Sequence, residues 1–507
     1  VLEAKPNNKM CGGKMKLSIF SFAFLFLITV WGVDSYAQRT VNVPAGFSTI
    51  NNVIGGDTTA TGERVDANTV YILERDGLYI LDGEFSPNYP CIIEAAPGSG
   101  SRPRVILGVP SGGTTPEQAF RPRADFRMKG VYVSALDELG GVGTRIFRFE
   151  ENGIKIDLED CHLDIASQAA FRINTSNNTL YMKNCIISNI GVMASPENGR
   201  AFDDRGNDVD TLWIENCTFY NLTFKILRDG GGRIDYAFFN HNTSVNTGFG
   251  AIDLGETRKA YIANNIIINP AFLGSVEEVP YAIILSPWTG TETQEIIIKN
   301  NNVVTDAALL SAYPDSVNKP VNYDSLSAYY ITQNGSTNIE EFVTFTDGPS
   351  SPVSVITTYW NDPSATQESL DTLGHESFDF SYASTYQSYT GGTSGQPIGD
   401  ISWFGLTPTS VNNYMSAAVP ASYSLYNNYP NPFNPSTKIR YSIPFNSHVS
   451  LKIYDILGKE VAVLINSELQ PGTYEAVFDA ANLSSGIYFY KLETPSFVQT
   501  NKMILLK

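Results

Sequence analysis

Cysteine is scarce: the 507 residues hold five, and only Cys91, Cys161, Cys185 and Cys217 lie beyond the N-terminal apolar segment. So few and so widely spaced, they exclude a disulfide-stapled scaffold. The absence of a CxxC pair or a His/Cys cluster leaves no zinc signature. Histidine is scarcer still, and His162, His241, His375 and His448 are scattered without forming a recognisable catalytic triad. Cations are in deficit, 34 Lys and Arg against 52 Asp and Glu, for a net charge of −18 and a pI near 4.7. A nucleic-acid binder needs a positive phosphate footprint, so that class is set aside. No phosphate-cradling glycine loop or dinucleotide fingerprint is present. What is there is a chain of 42% hydrophobic and 12% aromatic residues, long enough to bury a large core in more than one domain.

One segment approaches the length needed to span a bilayer. Lys14 and Lys16 precede a mostly apolar run from Leu17 to Val33, which ends at Ser35-Tyr36-Ala37. The small residues at the exit and the lack of a basic stop-transfer flank favour a secretory signal cleaved before Gln38 over a membrane anchor. Residues 1–37 are therefore read as upstream residues and signal peptide, with translation starting at Met15 or Met10. No transmembrane segment is expected in the mature protein.

The centre of the chain repeats. Six segments align: Leu158 to Leu163, Met182 to Ile187, Ile214 to Phe219, Phe239 to Ser244, Ile262 to Ile267 and Ile298 to Val303. Each reads apolar, polar, Asn/Asp/His, Cys/Asn, then a β-prone pair. The markers Cys161, Cys185, Cys217, Asn242, Asn265 and Asn301 are spaced by 24, 32, 25, 23 and 36 residues. A solenoid tolerates such variation as loop insertions, while the corner between strands keeps its register.

The pattern predicts an all-β protein whose larger part, residues 38–405, is a right-handed parallel β-helix. Its Asn/Asp positions would form a column of tight turns, because asparagine tolerates left-handed backbone angles. Cys161, Cys185 and Cys217 would stack inside as small apolar groups, and a disulfide between stacked neighbours is the alternative. Phe47 to Ile54 is expected to cap the open end as a short amphipathic helix, and Val70 to Leu73 to be the first core strand. Phe126 to Val133 marks another coil. Insertions are expected between Thr305 and Gln387, and a terminal coil and closure from Asp379 to Phe404. Residues 406–424 read as a linker.

From Leu425 to Lys507 the pattern changes. Val449, Leu451 and Ile453 alternate with Ser450, Lys452 and Tyr454, a turn falls at Gly458-Lys459, and further alternating runs follow. Short antiparallel strands in a small Ig-like β-sandwich are the natural reading. The opening Tyr429-Pro430-Asn431-Pro432-Phe433-Asn434-Pro435, the run Tyr454-Asp455-Ile456-Leu457-Gly458-Lys459-Glu460-Val461, Leu483 to Leu492 and the terminal Thr500 to Lys507 closely resemble the type A C-terminal sorting domain of the type IX secretion system. The resemblance implies an export signal read by the type IX outer-membrane machinery and usually removed afterwards. It places the passenger on the outer cell surface or outside the cell. The β-helix ending, from Asp379-Phe380-Ser381-Tyr382 through Gly395 to Phe404, resembles that of secreted proteins of the pectate-lyase-like superfamily, which implies a polysaccharide ligand.

Any chemistry should reside in the β-helix. A lyase acting on a uronate-containing glycan needs a base for the proton beside the carboxylate and a cation to hold the developing charge. Lys225, Arg228 and Arg205 are the catalytic candidates, although no motif of the chondroitinase-B-like lyases surrounds them. Arg200 and Arg258 are candidate substrate-binding cations, and Trp288 a candidate sugar platform or loop anchor. Asp203, Asp204 and Asp208 offer the oxygen ligands that calcium prefers, the one cofactor suggested, but without EF-hand spacing. Ion pairing and surface solvation account for the same charges. Two classes stay open: a glycan-directed protein, binder or lyase, and a noncatalytic surface or adhesion protein with a structural β-helix.

Overall fold

A computed structural model describes residues 39–507, apart from 112, 275–279, 314–317, 335–336, 362–377, 408–423, 444–446, 457, 470–471, 482, 495–496 and 507. The residues expected to form a signal peptide and most of those expected to form a linker lie outside the described residues. Successive coils lay one strand on each of three parallel sheets. The first sheet has ten strands, from Thr40–Val43 to Glu295–Lys299, and the second has ten, from Gly46–Phe47 to Asn302–Val304. The third has eight, from Gln118–Phe120 to Val321–Tyr323. Neighbouring strands pair in parallel and in register, so equivalent side chains form columns about 4.8 Å apart. This is the right-handed parallel β-helix that the repeats predict.

The corner between the first two sheets explains the repeat. Asp160, Asn184, Asn216, His241, Asn264 and Asn300 all have φ between +53° and +59°, a left-handed conformation that Asn and Asp tolerate best. The next residue in each coil points inward. Cys161 N–H donates to Cys185 Sγ and Cys185 N–H to Cys217 Sγ, both at 3.4 Å. Cys217 N–H then donates to Asn242 Oδ1 at 2.9 Å, and the series continues through Asn265 and Asn301 to Asn338. Cysteine and asparagine thus fill one structural role. The thiols are free and buried rather than joined as a disulfide, and burial pushes those of Cys161 and Cys185 well up.

Five residues further on lies a second left-handed column that the sequence reading missed: Ile165, Asn189, Asn221, Asn246 and Asn269. Its amides bond from coil to coil. In the third sheet Phe120, Phe147, Phe171 and Phe202 stack inside the core with ring centroids 5.1, 5.1 and 5.3 Å apart.

The coil begins earlier than Val70, with Thr40–Val43 as the first strand of the first sheet. The N-terminal helix is a five-residue turn, Ile50–Ile54, whose Ile50 and Ile54 enter the core. At the other end the helix Ser325–Gln333 lays Leu326, Tyr330 and Ile331 against the core, with Asp324 accepting from Ser327 N–H as its cap. Residues 379–404 are not a terminal coil. Asp379–Tyr382 pairs antiparallel with Phe345–Asp347, and the segment folds back over the outer face of the second sheet. There Val343, Phe380, Tyr382 and Ile398 cover Tyr220, Val245, Ile266 and Ile268.

The C-terminal module is a separate antiparallel sandwich of a three-stranded and a four-stranded sheet. Val449, Leu451 and Ile453 face its core with Tyr441, Tyr474, Tyr490 and Leu492, so the alternation reads as expected. Phe433 from the proline-rich opening is buried with them, and its N–H and carbonyl bond to Ile504 and Leu506.

Candidate functional site

The third sheet carries charge outside where it carries phenylalanine inside. Six of its eight strands carry a triplet of small or apolar, large apolar, then charged: Ala119-Phe120-Arg121, Ile146-Phe147-Arg148, Ala170-Phe171-Arg172, Ala201-Phe202-Asp203, Ile226-Leu227-Arg228 and Ala251-Ile252-Asp253. Register pairs Arg148 with Arg172, Arg172 with Asp203 and Asp203 with Arg228. The charged residues therefore form one column on the outer face.

Several predicted site residues meet here. The buried Asp203 carboxylate accepts from Arg200 Nη1 at 2.8 Å and Arg228 Nη1 at 2.9 Å, with Arg205 Nη1 at 4.0 Å. Lys225, nearly buried, is 2.8 Å from Asp253. Burial presses the pKa of Arg200 down while Asp203 pulls it back. Lys225 and Arg228 could hold negative charge, but both already have carboxylate partners, and Lys225 reaches a ligand only by breaking its pair. Of the carboxylates near them, Asp204 is pushed up to about 7 by burial and is wholly covered, while Asp229 is half-buried and also raised by burial. His162 and His241, both pushed down to about 4 by burial, lie on the second sheet and at the first corner.

The calcium set does not assemble. Asp203 is occupied by arginines, and Asp204 Oδ1 accepts from the amides of Gly206 at 3.0 Å and Gly230 at 2.6 Å. Those N–H donors stand where a cation would need oxygen. Gly230 permits the approach, since a Cβ there would lie 2.4 Å from Asp204 Oδ1. Asp208 is exposed and accepts from Arg233 N–H. Among the described residues no group of three or more His, Cys, Asp or Glu is placed to hold a metal ion.

Arg258 and Trp288 belong elsewhere. Arg258 lies in the first-sheet strand Glu256–Ala263 and pairs with Asp235, its Nη2 2.7 Å from Oδ2. Trp288 lies in a loop on the first-sheet side, half-buried: its indole N–H donates to Glu292 O at 3.0 Å, and Arg233 lies over its ring. That face also carries a column of rings, Tyr181, Trp213, Phe238 and Tyr261, the last three stacked face to face. Each precedes its corner residue by three, which is how the sequence marks them.

The sequence reading began its cation cluster at Arg200 and missed Arg121, Arg145, Arg148 and Arg172. The recurring triplet was the available signal. On this face six guanidiniums, those of Arg121, Arg145, Arg148, Arg200, Arg205 and Arg228, share the carboxylates of Glu84, Glu117, Glu150 and Asp203, and Arg172 stands among them without such a pair among the described residues.

By fold, the chain is a β-helix passenger followed by a small antiparallel sandwich. Residues 427–506, the sandwich, match the family model described as secretion system C-terminal sorting domain. The tail implies type IX export to the cell surface or the extracellular space, and the type IX machinery as its partner. No curated protein matches the chain. Among the described residues no helix is long and apolar enough to cross a membrane.

Proposed function

We propose that the protein recognises extracellular polysaccharide along the third face of its β-helix and binds it without cleaving it. The observation that carries this reading is the in-register column of arginines that outnumber their carboxylate partners, in a chain that is otherwise strongly acidic. Guanidinium groups recognise carboxylates and sulfates through paired N–H donors. A solenoid face repeats such a contact at the spacing of its coils. Against lyase action stand the ion-paired state of Lys225 and Arg228 and the enclosure of Asp204.

The test is incubation of the full chain with a panel of acidic and neutral polysaccharides, following binding together with the absorbance of unsaturated products. Binding of acidic glycans without product is the expected result. Product formation would restore the lyase reading and make Lys225 and Arg228 its first targets. Neither signal would leave the β-helix as a rigid surface spacer.

A further inference from the structure

The arginine column is not evenly balanced along its length. Toward its C-terminal end Asp203 and Asp253 supply carboxylates within the column itself. Toward its N-terminal end Arg148 and Arg172 are adjacent, about 4.8 Å apart in the sheet, with no acidic residue between them. Arg148 shares Glu117 and Glu150 with Arg145 and Arg121. Arg172 has no carboxylate within ion-pair distance among the described residues. Its one side-chain hydrogen bond there is from Nε to Asn174 Oδ1 at 3.2 Å.

Arg172 is half-buried, so water does not fully compensate its charge. Burial and then Arg145, Arg205 and Arg148 press its pKa down, with only Asp203 opposing them. Arg145 is 4% exposed, and its Nε is buried without a hydrogen-bond partner. Its Nη1 donates to Glu117 Oε2 at 2.9 Å and to the buried Gln118 Oε1 at 2.8 Å, and Glu117, the only carboxylate of the two, is largely exposed. Like charges gathered in a partly desolvated site repel one another unless an anion arrives.

We infer that Arg172, with Arg145, Arg148 and Arg205, forms an oxyanion subsite that takes a carboxylate or sulfate group of an extended glycan. The identity of the ligand rests on the polysaccharide reading above; the existence of the subsite does not. Asp203 displays the intended contact one coil away, as a carboxylate of the protein itself held by Arg200 and Arg228. A ligand oxyanion at Arg172 would occupy the place that this column leaves without an aspartate.

The experiment compares the full chain with Arg172→Gln, Arg172→Lys and, as a control on the first sheet, Arg127→Ala. Melting is followed in sodium sulfate against sodium chloride at matched ionic strength, and binding to polygalacturonate, dextran sulfate and neutral dextran is measured in parallel. Sulfate should raise the melting temperature of the wild type and of Arg127→Ala well beyond that of Arg172→Gln. Affinity for at least one anionic glycan should fall about tenfold in Arg172→Gln, a charge-assisted hydrogen bond's worth, and less in Arg172→Lys. Without added anion Arg172→Gln should be as stable as the wild type or more so, an outcome that a merely structural role would not give.

An equal sulfate response in wild type and Arg172→Gln overturns the subsite, even if glycans bind elsewhere. A sulfate response lost in Arg172→Gln, with no glycan bound by either, supports the subsite and removes the polysaccharide reading. Preference between polygalacturonate and dextran sulfate assigns the oxyanion.

Discussion

Asn265 is the most informative single position in the β-helix. Its side chain is 1% exposed and fully engaged: Oδ1 accepts from Asn242 N–H at 3.0 Å, and Nδ2 donates to Phe239 O at 3.0 Å and Asn301 Oδ1 at 2.9 Å. Replacing it by alanine leaves the Asn242 N–H and the Phe239 carbonyl buried without these partners. An orphaned buried polar group costs about 1–3 kcal/mol, so two of them give roughly 2–6 kcal/mol, and we expect a loss near the middle of that range. Asn265→Cys should recover part of it, because Cys185 and Cys217 accept the same backbone N–H through sulfur in their own coils.

Urea unfolding followed by tryptophan fluorescence isolates the effect. Four of the five tryptophans lie between residues 38 and 405, the fifth is Trp31 in the N-terminal apolar segment, and none lies in the sorting domain, so the unfolding signal reports the β-helix. The difference in stability follows from the midpoint shift and the slope. A loss below about 1 kcal/mol in Asn265→Ala, or no advantage of cysteine over alanine, would refute the argument that this column is held by side-chain acceptors.

Asp203→Ala removes the carboxylate shared by Arg200 and Arg228 and should lower stability by about 3 kcal/mol, with sulfate restoring part of the loss; an unchanged melting temperature contradicts the ion-pair account. Burial pushes Asp400 from 3.8 up to about 6, where it bonds Thr218 and Ser402 and fastens the covering segment to the second sheet. With the folded value above the unfolded one, its stabilisation is full below pH about 3.8 and is lost as pH rises through about 6, and Asp400→Asn should remove that part of a melting-temperature profile. Deletion of residues 425–507 should leave the passenger in the periplasm, and normal surface delivery of the truncated chain would contradict the sorting role.

The corner between the first and second sheets was legible because its backbone angle restricts the residue type. A left-handed residue at 160, 184, 216, 264 and 300 favours Asn or Asp whatever the loops between them do. His241 kept the position visible through its neighbours. The sandwich was legible for a different reason, the strict alternation of Val449, Leu451 and Ile453. The third sheet was hidden because its strands shrink to two residues at Leu227–Arg228 and Ile252–Asp253, too short for any period to register. The covering segment was hidden because its contacts are remote: Asp400 meets Thr218 across 182 residues of chain. The charged turn misled in yet another way. Asp203 and Asp208 are five residues apart, but the bend at Asp204 to Asn207 sends one to the third face and the other to the corner before the first sheet.

The three outer faces of the β-helix are not equivalent. The second is covered between Tyr220 and Ile268 by the returning segment. The first stacks Trp213, Phe238 and Tyr261 on one another, with Lys299 over Tyr261, so most ring faces are already in contact. Among the described residues, only the third combines a regular column with arginines in excess of their carboxylate partners. The net charge of −18 does not forbid a polyanion there, because charges more than about 8 Å away are largely screened at physiological ionic strength. What decides attraction is the local set, and Asp203 ends the unbroken arginine run. A polyanion lying along this face therefore meets favourable charge from Arg121 to Arg172 and an opposing carboxylate at the next coil. The contact is short, which makes each guanidinium in that run count and makes Arg172, the one without a carboxylate of its own, the place where a ligand gains most.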